Sequence, residues 1–363
     1  MKIKSVAVLL VVVLSLLAFG WWKVSAEASR LLKTIDVRTA SNFGSGLSVN
    51  RDGSQFASGV TQNGDQLIIW DSNGFPRNRF TKRRNSLVDI QLTERSHRGF
   101  IKQIVFSPDW DAFVWCRQRR SPLSALGIWW FNSDSEMSPR LTQFSTVECV
   151  AVGDSPDEQI AIQGFNEQTK SREVYVRNNS KPMTLDGLTD YEILKRIAFS
   201  PDGSRLIAVS GRGNAFMWDL NTGKLAFTIE KTADDGSHQY GNDTLVFSQD
   251  SKHFALWEDV GAMEHVMRIR SSLDGSIEKE FKHEREWMFR GFSSDFKWYV
   301  VKVYSGLNIH SLEDGRLVHA IAEPTSGRSE FMDAAFSGDS RRLVTSSYDR
   351  SYRIWDLTNI DSP

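Results

Sequence analysis

Seven apolar residues, Val49, Phe106, Val152, Phe199, Phe247, Phe292 and Phe336, each close a short β-prone run that leads into a turn-forming cluster. They stand 57, 46, 47, 48, 45 and 44 residues apart. A recurrence in the mid-forties constrains the fold more than any other feature, because it makes the chain an array of one repeated unit. The clearest copy, Ile197 to Ile229, reads IAFS, PDGSR, LIAVS, GRGN, AFMWDL, NTGK, LAFTI. Four β-prone runs alternate there with three turn clusters. Pro201-Asp202-Gly203 supplies a preset φ, a side-chain acceptor and a residue tolerant of positive φ, and Asn221-Thr222-Gly223 serves the third turn. The unit is a four-stranded antiparallel meander. One such sheet cannot cover both its faces, so the units must stack around an axis. The 12 tryptophans and 22 phenylalanines suit the wedges between stacked sheets.

Trp70-Asp71, Trp218-Asp219 and Trp355-Asp356-Leu357 end the third strands of repeats one, four and seven. FSPDG stands at Phe199 to Gly203, FSPD at Phe106 to Asp109 and FSGD at Phe336 to Asp339. On these motifs residues 31–357 resemble the WD-repeat family. The resemblance implies an all-β, seven-bladed propeller. Repeat seven stops at Leu357 after its third strand, while residues 31–37 read as a fourth strand without its first three. In the family the N-terminal strand completes the last blade, which leaves no exposed edge. Some positions depart from the pattern. Repeat two has Trp130-Phe131, and Val176, Arg270 and His310 stand where repeats three, five and six should have tryptophan. Of the family's Asp–His–Ser–Trp hydrogen-bond set, Asp349 and Trp355 fit two roles in repeat seven, but the preceding loop, Glu323 to Glu330, has no histidine. Blades three, five and six are therefore expected to rest on packing. Arg270 is expected to reach solvent with its stem on the sheet. His310 reads either as a ligand or switch, or as a histidine packed between blades with one hydrogen bond.

Residues 1–26 read as an address rather than part of the propeller, which takes 27–363. Lys2 and Lys4 precede an uncharged apolar run, Ser5 to Phe19, as export machinery requires. Two versions stand. Val24-Ser25-Ala26 offers a cleavage site after Ala26. Alternatively, Ser5 to Trp22 stays as an anchor of ~27 Å, close to a hydrocarbon core, with Trp21 and Trp22 at the interface. Either version puts the propeller outside the cytoplasm, on the periplasmic side in a bacterial host.

The formal net charge of −1 gives no global attraction for nucleic acid. No HExxH, P-loop, dinucleotide fingerprint or GxSxG is present, and the seven histidines are scattered, so neither a cofactor nor a metal is implied. Two cysteines, Cys116 and Cys149, exclude a disulfide-dense scaffold. They read as two buried thiols or, outside the cytoplasm, as one bond if their Cα atoms come within ~7 Å.

Charge is the strongest local anomaly. Lys82, Arg83, Arg84, Arg95, Arg98, Lys102, Arg117, Arg119 and Arg120 are nine bases against Asp89 and Glu94, a local +7 that leaves −8 for the rest. The first group spans the link between repeats one and two; the second opens between strands two and three of repeat two. In the WD-repeat arrangement these loop types open on one face. A concentrated positive patch favours anionic partners, acidic protein segments among them. These loops carry no interleaved aromatic platform for nucleic acid. The expected function is a non-catalytic scaffold that binds protein partners through this loop face, with the membrane engaged by the N-terminal segment. An enzyme or small-ligand binder using the central funnel is the alternative, and a structural subunit of an envelope complex is a third reading.

Overall fold

A computed structural model describes residues 30–36, 42–50, 52–61, 65–73, 76–80, 100–106, 112–118, 125–130, 135–137, 144–153, 159–166, 168–178, 181–189, 191–230, 245–261, 264–283, 288–304, 306–322 and 331–360. Among them, twenty-eight strands form seven four-stranded antiparallel sheets. Strand β1 (Leu31–Asp36) comes first and stands apart from its sequence neighbours. Sheet 1 holds β2 (Asn42–Val49), β3 (Gln55–Thr61), β4 (Asp65–Asp71) and β5 (Pro76–Phe80). Sheet 2 holds β6 (Phe100–Phe106), β7 (Ala112–Gln118), β8 (Ala125–Trp130) and β9 (Ser135–Met137). Sheet 3 holds β10 (Phe144–Val152), β11 (Ile160–Asn166), β12 (Ser171–Asn178) and β13 (Lys181–Leu185). Sheet 4 holds β14 (Leu194–Phe199), β15 (Arg205–Ser210), β16 (Ala215–Asp219) and β17 (Lys224–Ile229). Sheet 5 holds β18 (Leu245–Phe247), β19 (His253–Gly261), β20 (Glu264–Ser271) and β21 (Ile277–His283). Sheet 6 holds β22 (Met288–Phe292), β23 (Trp298–Val303), β24 (Gly306–Ser311) and β25 (Leu317–Ala322). Sheet 7 holds β26 (Phe331–Phe336), β27 (Arg342–Ser347) and β28 (Ser351–Asp356), and β1 pairs antiparallel with β28 as its fourth strand.

Each of the seven closing residues read from the sequence is the last residue of a first strand. The turn that follows has one recurring design. Ser200, Ser248 and Ser337 each donate Oγ to the aspartate two residues on, at 2.6, 2.6 and 2.7 Å. The same oxygen accepts the amide five residues on, at 2.9 Å in all three. The residue three positions on turns left-handed: Gly203, Ser251 and Ser340 have φ of 67°, 59° and 60°. Phe296 holds the same place in sheet 6 with φ 60°, a conformation that strains a bulky side chain.

Successive sheets pack face to face. Val176 and Trp218 join sheets 3 and 4, and Met217 and Phe254 join 4 and 5. Trp257 and Tyr299 join 5 and 6, Ile309 and Leu343 join 6 and 7, and Tyr352 and Phe56 join 7 and 1. First strands touch along the run β22, β26, β2, β6, β10, β14 and β18. The turns add hydrogen bonds between sheets: Asp202 N to Ser251 Oγ at 3.0 Å, Asp295 N to Ser340 Oγ at 3.2 Å, and Gly338 N to Asn50 O at 3.1 Å. The arrangement is compatible with a β-propeller.

The strand ladder corrects two of the positions read from the sequence as standing in for tryptophan. Trp70, Trp218 and Trp355 pair with the first apolar residue of their second strands, Phe56, Leu206 and Leu343. At that rung sheet 2 has Trp129 against Phe113 and sheet 3 has Arg177 against Ile160, so Trp130 and Val176 are each one residue off. The loops ahead of these strands differ in length, which shifts the rung without disturbing the repeat. Arg270 and His310 do occupy it. Yet Arg270 does not reach solvent: it is 7% exposed, donates to Glu258 Oε1 at 2.7 Å and to Gly275 O at 2.9 Å. A buried guanidinium needs a carboxylate, and Glu258 supplies it from the neighbouring strand. Sheets 5 and 6 thus rest on polar partners as well as packing. His310 is buried, its Nδ1 3.1 Å from Gly315 O, its ring stacked on Tyr299 and set edge-on to His283.

Candidate interaction face

In each antiparallel sheet the strands alternate in direction. The links from a fourth strand to the next first strand therefore leave on the same side as the loops between second and third strands. We call this the link face; the turns after first strands lie on the opposite side. Lys82, Arg83, Arg84, Arg95 and Arg98 belong to the β5–β6 link, and Arg119 and Arg120 to the β7–β8 loop, all outside the described residues. The backbone of Arg117 is described: it pairs with Ile101 and Ala125. Phe100 at the start of β6 pairs with Gln118 at the end of β7. Paired residues lie roughly 5 Å apart, so the β5–β6 link ends beside the point where the β7–β8 loop begins. Cys149 is buried on β10, which touches β7, the strand carrying Cys116.

Three tyrosines stand out on the link face. Tyr191, Tyr304 and Tyr348 are 76%, 85% and 60% exposed, on the links or loops of sheets 4, 6 and 7. Gln163 ties this side of sheets 3 and 4 together. Its Nε2 donates to Glu192 O at 2.6 Å and its Oε1 accepts Leu194 N at 2.7 Å, both buried.

Two charged residues stand on the first strands of sheets 6 and 7. Asp333 is the third residue of β26. Its Oδ1 accepts Ala334 N at 2.9 Å and its Oδ2 accepts Leu47 N, from sheet 1, at 3.3 Å. Burial raises the Asp333 carboxyl above the usual range, opposed by Arg290, by these amides and by Arg196. Arg290, third in β22, is lowered by burial, with Asp333 and then Tyr348 acting the other way. Sequence reasoning passed over this group, because its members lie far apart in the chain and match no local motif.

On the opposite side, a groove of 440 Å³ opens between sheets 5 and 6, with Phe296, Trp298 and Leu312 in its lining and Lys297 at its rim. Lys297 Nζ lies 5.9 Å from the Trp298 ring centroid. Among the described residues, no group of three or more histidine, cysteine, aspartate or glutamate side chains could hold a metal ion, and no helix is long and apolar enough to cross a membrane. The segment 1–26 lies outside them.

Residues 317–356 match the family model described as WD domain, G-beta repeat. The chain carries a WD repeat there. The matched stretch runs from β25 through β28, so one WD repeat comprises the last strand of one sheet and the first three of the next. That offset explains why sheet 7 draws its fourth strand from the other end of the chain. A search of curated proteins returned no match.

Proposed function

We propose that this WD-repeat protein is a non-catalytic protein-interaction scaffold working outside the cytoplasm. In this reading the seven sheets are the blades of one closed propeller, with β1 completing the last blade. Residues 1–26 carry it to or across a membrane, as a cleaved leader or a retained anchor. Acidic segments of partner proteins dock on the link face at Lys82, Arg83, Arg84, Arg95, Arg98, Arg117, Arg119 and Arg120.

WD repeats generally serve as platforms for protein–protein interaction, which supports the class. The observation that carries the site is the Phe100–Gln118 pairing, which sets the ends of the two basic segments side by side. Nine bases against two acids around those strand ends make a local field that attracts carboxylates and excludes other cations.

The test is affinity capture of the tagged full chain from gently solubilised host membranes, beside a variant with Arg83→Gln, Arg84→Gln, Arg119→Gln and Arg120→Gln. Partners held by the native chain and lost with the variant, at unchanged thermal stability, support the reading. Capture indifferent to the four changes removes this site, and no capture by either form removes the scaffold.

A further inference from the structure

Among the described turns that follow first strands, the one in sheet 6 departs from the rest. The residue four places after the closing apolar residue is Gly53, Gly203, Ser251 and Ser340 in sheets 1, 4, 5 and 7, but Phe296 in sheet 6. All five have φ between 59° and 69°, a region that glycine enters freely and a bulky side chain enters only under strain. Where the second strand begins, the same four sheets have Gln55, Arg205, His253 and Arg342, and sheet 6 has Trp298. Two aromatics thus stand where the other sheets carry small or polar residues. Phe296 also lacks a contact its counterparts make. Ser251 and Ser340 accept the amides of Asp202 and Asp295 in the preceding sheets, at 3.0 and 3.2 Å. A phenyl ring offers no such acceptor to Asp250 N.

Both aromatics line the 440 Å³ groove between sheets 5 and 6, and Ile269 and Leu312 extend its apolar surface. Its walls are tied together by the protein itself. Lys279 Nζ in sheet 5 donates to Glu313 O in sheet 6 at 2.8 Å, and His253 Nε2 takes up Glu278 Oε2 at 3.0 Å. The groove is therefore formed before anything enters it, and its volume falls within the roughly 300–1,000 Å³ of ligand sites. At the rim Lys297, 65% exposed, holds its ammonium 5.9 Å from the Trp298 ring centroid. Its pairing with Asp295, at 3.4 Å and open to water, is of the weak surface kind, so an incoming carboxylate can compete for the ammonium. An apolar floor beneath a rim cation suits a bulky apolar group with an acid beside it.

We propose that this groove is a peptide-docking site, in which a bulky apolar side chain of a partner protein rests on Phe296 and Trp298 while a neighbouring carboxylate meets Lys297. The occupant is a peptide segment because the groove opens on the outer turn face. A chain can lie there across the two turns, 293–298 and 312–316, that contribute to its lining. The strained Phe296 is then kept for its ring, which glycine or serine could not supply. The site lies on the side opposite the basic loops, so either can fail without the other.

The experiment titrates the full chain in detergent into short, blocked, dye-labelled peptides, read by fluorescence anisotropy. Each carries one leucine, methionine, phenylalanine or tryptophan between two aspartates. At least one should bind, and its counterpart with alanine at the centre should bind about tenfold more weakly or worse, since the apolar anchor is lost. Phe296→Ser, which installs the serine that sheets 5 and 7 carry, should cost a similar factor. Lys297→Gln, at an exposed position that leaves the fold intact, should weaken binding a few-fold and remove the preference for aspartate over lysine flanks. Arg341→Gln, the equivalent exposed cation in the turn of sheet 7, should leave binding unchanged. Binding by no peptide, undiminished binding in Phe296→Ser, or an equal loss in Arg341→Gln would each overturn the site. Phenylacetate that displaces the best peptide at equal affinity would overturn the peptide as occupant in favour of a free acid.

Discussion

The Tyr352 hydroxyl in sheet 7 donates to Ser58 Oγ in sheet 1 at 2.8 Å, and the same oxygen accepts Trp70 Nε1 at 3.1 Å. One small hydroxyl thus satisfies two buried aromatic donors where the two ends of the chain meet. The phenol is raised by burial, which outweighs the Ser58 bond. Ser58→Ala should strand both donors and destabilise the protein by about 2–4 kcal/mol, against about 1 kcal/mol for Tyr352→Phe. Denaturant unfolding of both variants measures the gap; equal losses would mean that Trp70 finds another acceptor.

Leu31 pairs with Trp355, and Ile35, 5% exposed, packs with Val344 and Ile354. Removing residues 1–36 should bare the β28 edge and drive strand-to-strand association. Removal of 1–29 alone should leave a monodisperse protein of higher thermal midpoint. Size-exclusion chromatography and thermal scans of the two truncations check this.

Arg270 and Glu258 form a pair 2.7 Å apart, with side chains 8% and 18% exposed. Arg270→Met should cost about 3 kcal/mol, because Glu258 keeps its charge with one fewer partner. Adding Glu258→Leu should recover much of that loss and leave Arg268 paired with Glu280. Unfolding free energies of the two singles and the double close the cycle.

Asp52, Asp202, Asp250, Asp349 and Asp356 are all held below the usual carboxylate value: Asp52 and Asp250 chiefly by serine hydrogen bonds, the other three by hydrogen bonds that outweigh burial. A depressed folded value means stability that is complete above the unfolded value and is lost as pH falls through the folded one. The thermal midpoint should therefore drop below about pH 4. Asp333, raised in the fold, contributes with the opposite sign: its share is greatest when protonated and declines as pH rises. Asp202→Asn should flatten the acid limb, and a midpoint series from pH 6 to 3 reads it.

The repeat was legible because it depends on local chemistry. Phe199, Asp202 and Gly203 act within one turn, so their spacing alone marked the residue that closes each first strand. The rung positions were less so. Trp129 and Arg177 could be told from Trp130 and Val176 only by pairing, since loop length and not composition sets register. Arg270 was misplaced for a related reason: whether a guanidinium reaches water depends on what faces it, and Glu258 lies on another strand.

By itself, then, the sequence determined the four-stranded unit and the strand, residues 31–36, that pairs with β28, because turn residues and apolar alternation act over a few positions. Tertiary structure alone decided what meets across the sheets: Tyr352 on Ser58, Gln163 on Leu194, and Asp333 on Leu47. Those meetings join residues tens to hundreds of positions apart, and no local pattern encodes them. Packing sheet on sheet brings such residues together, whatever lies between them in the chain.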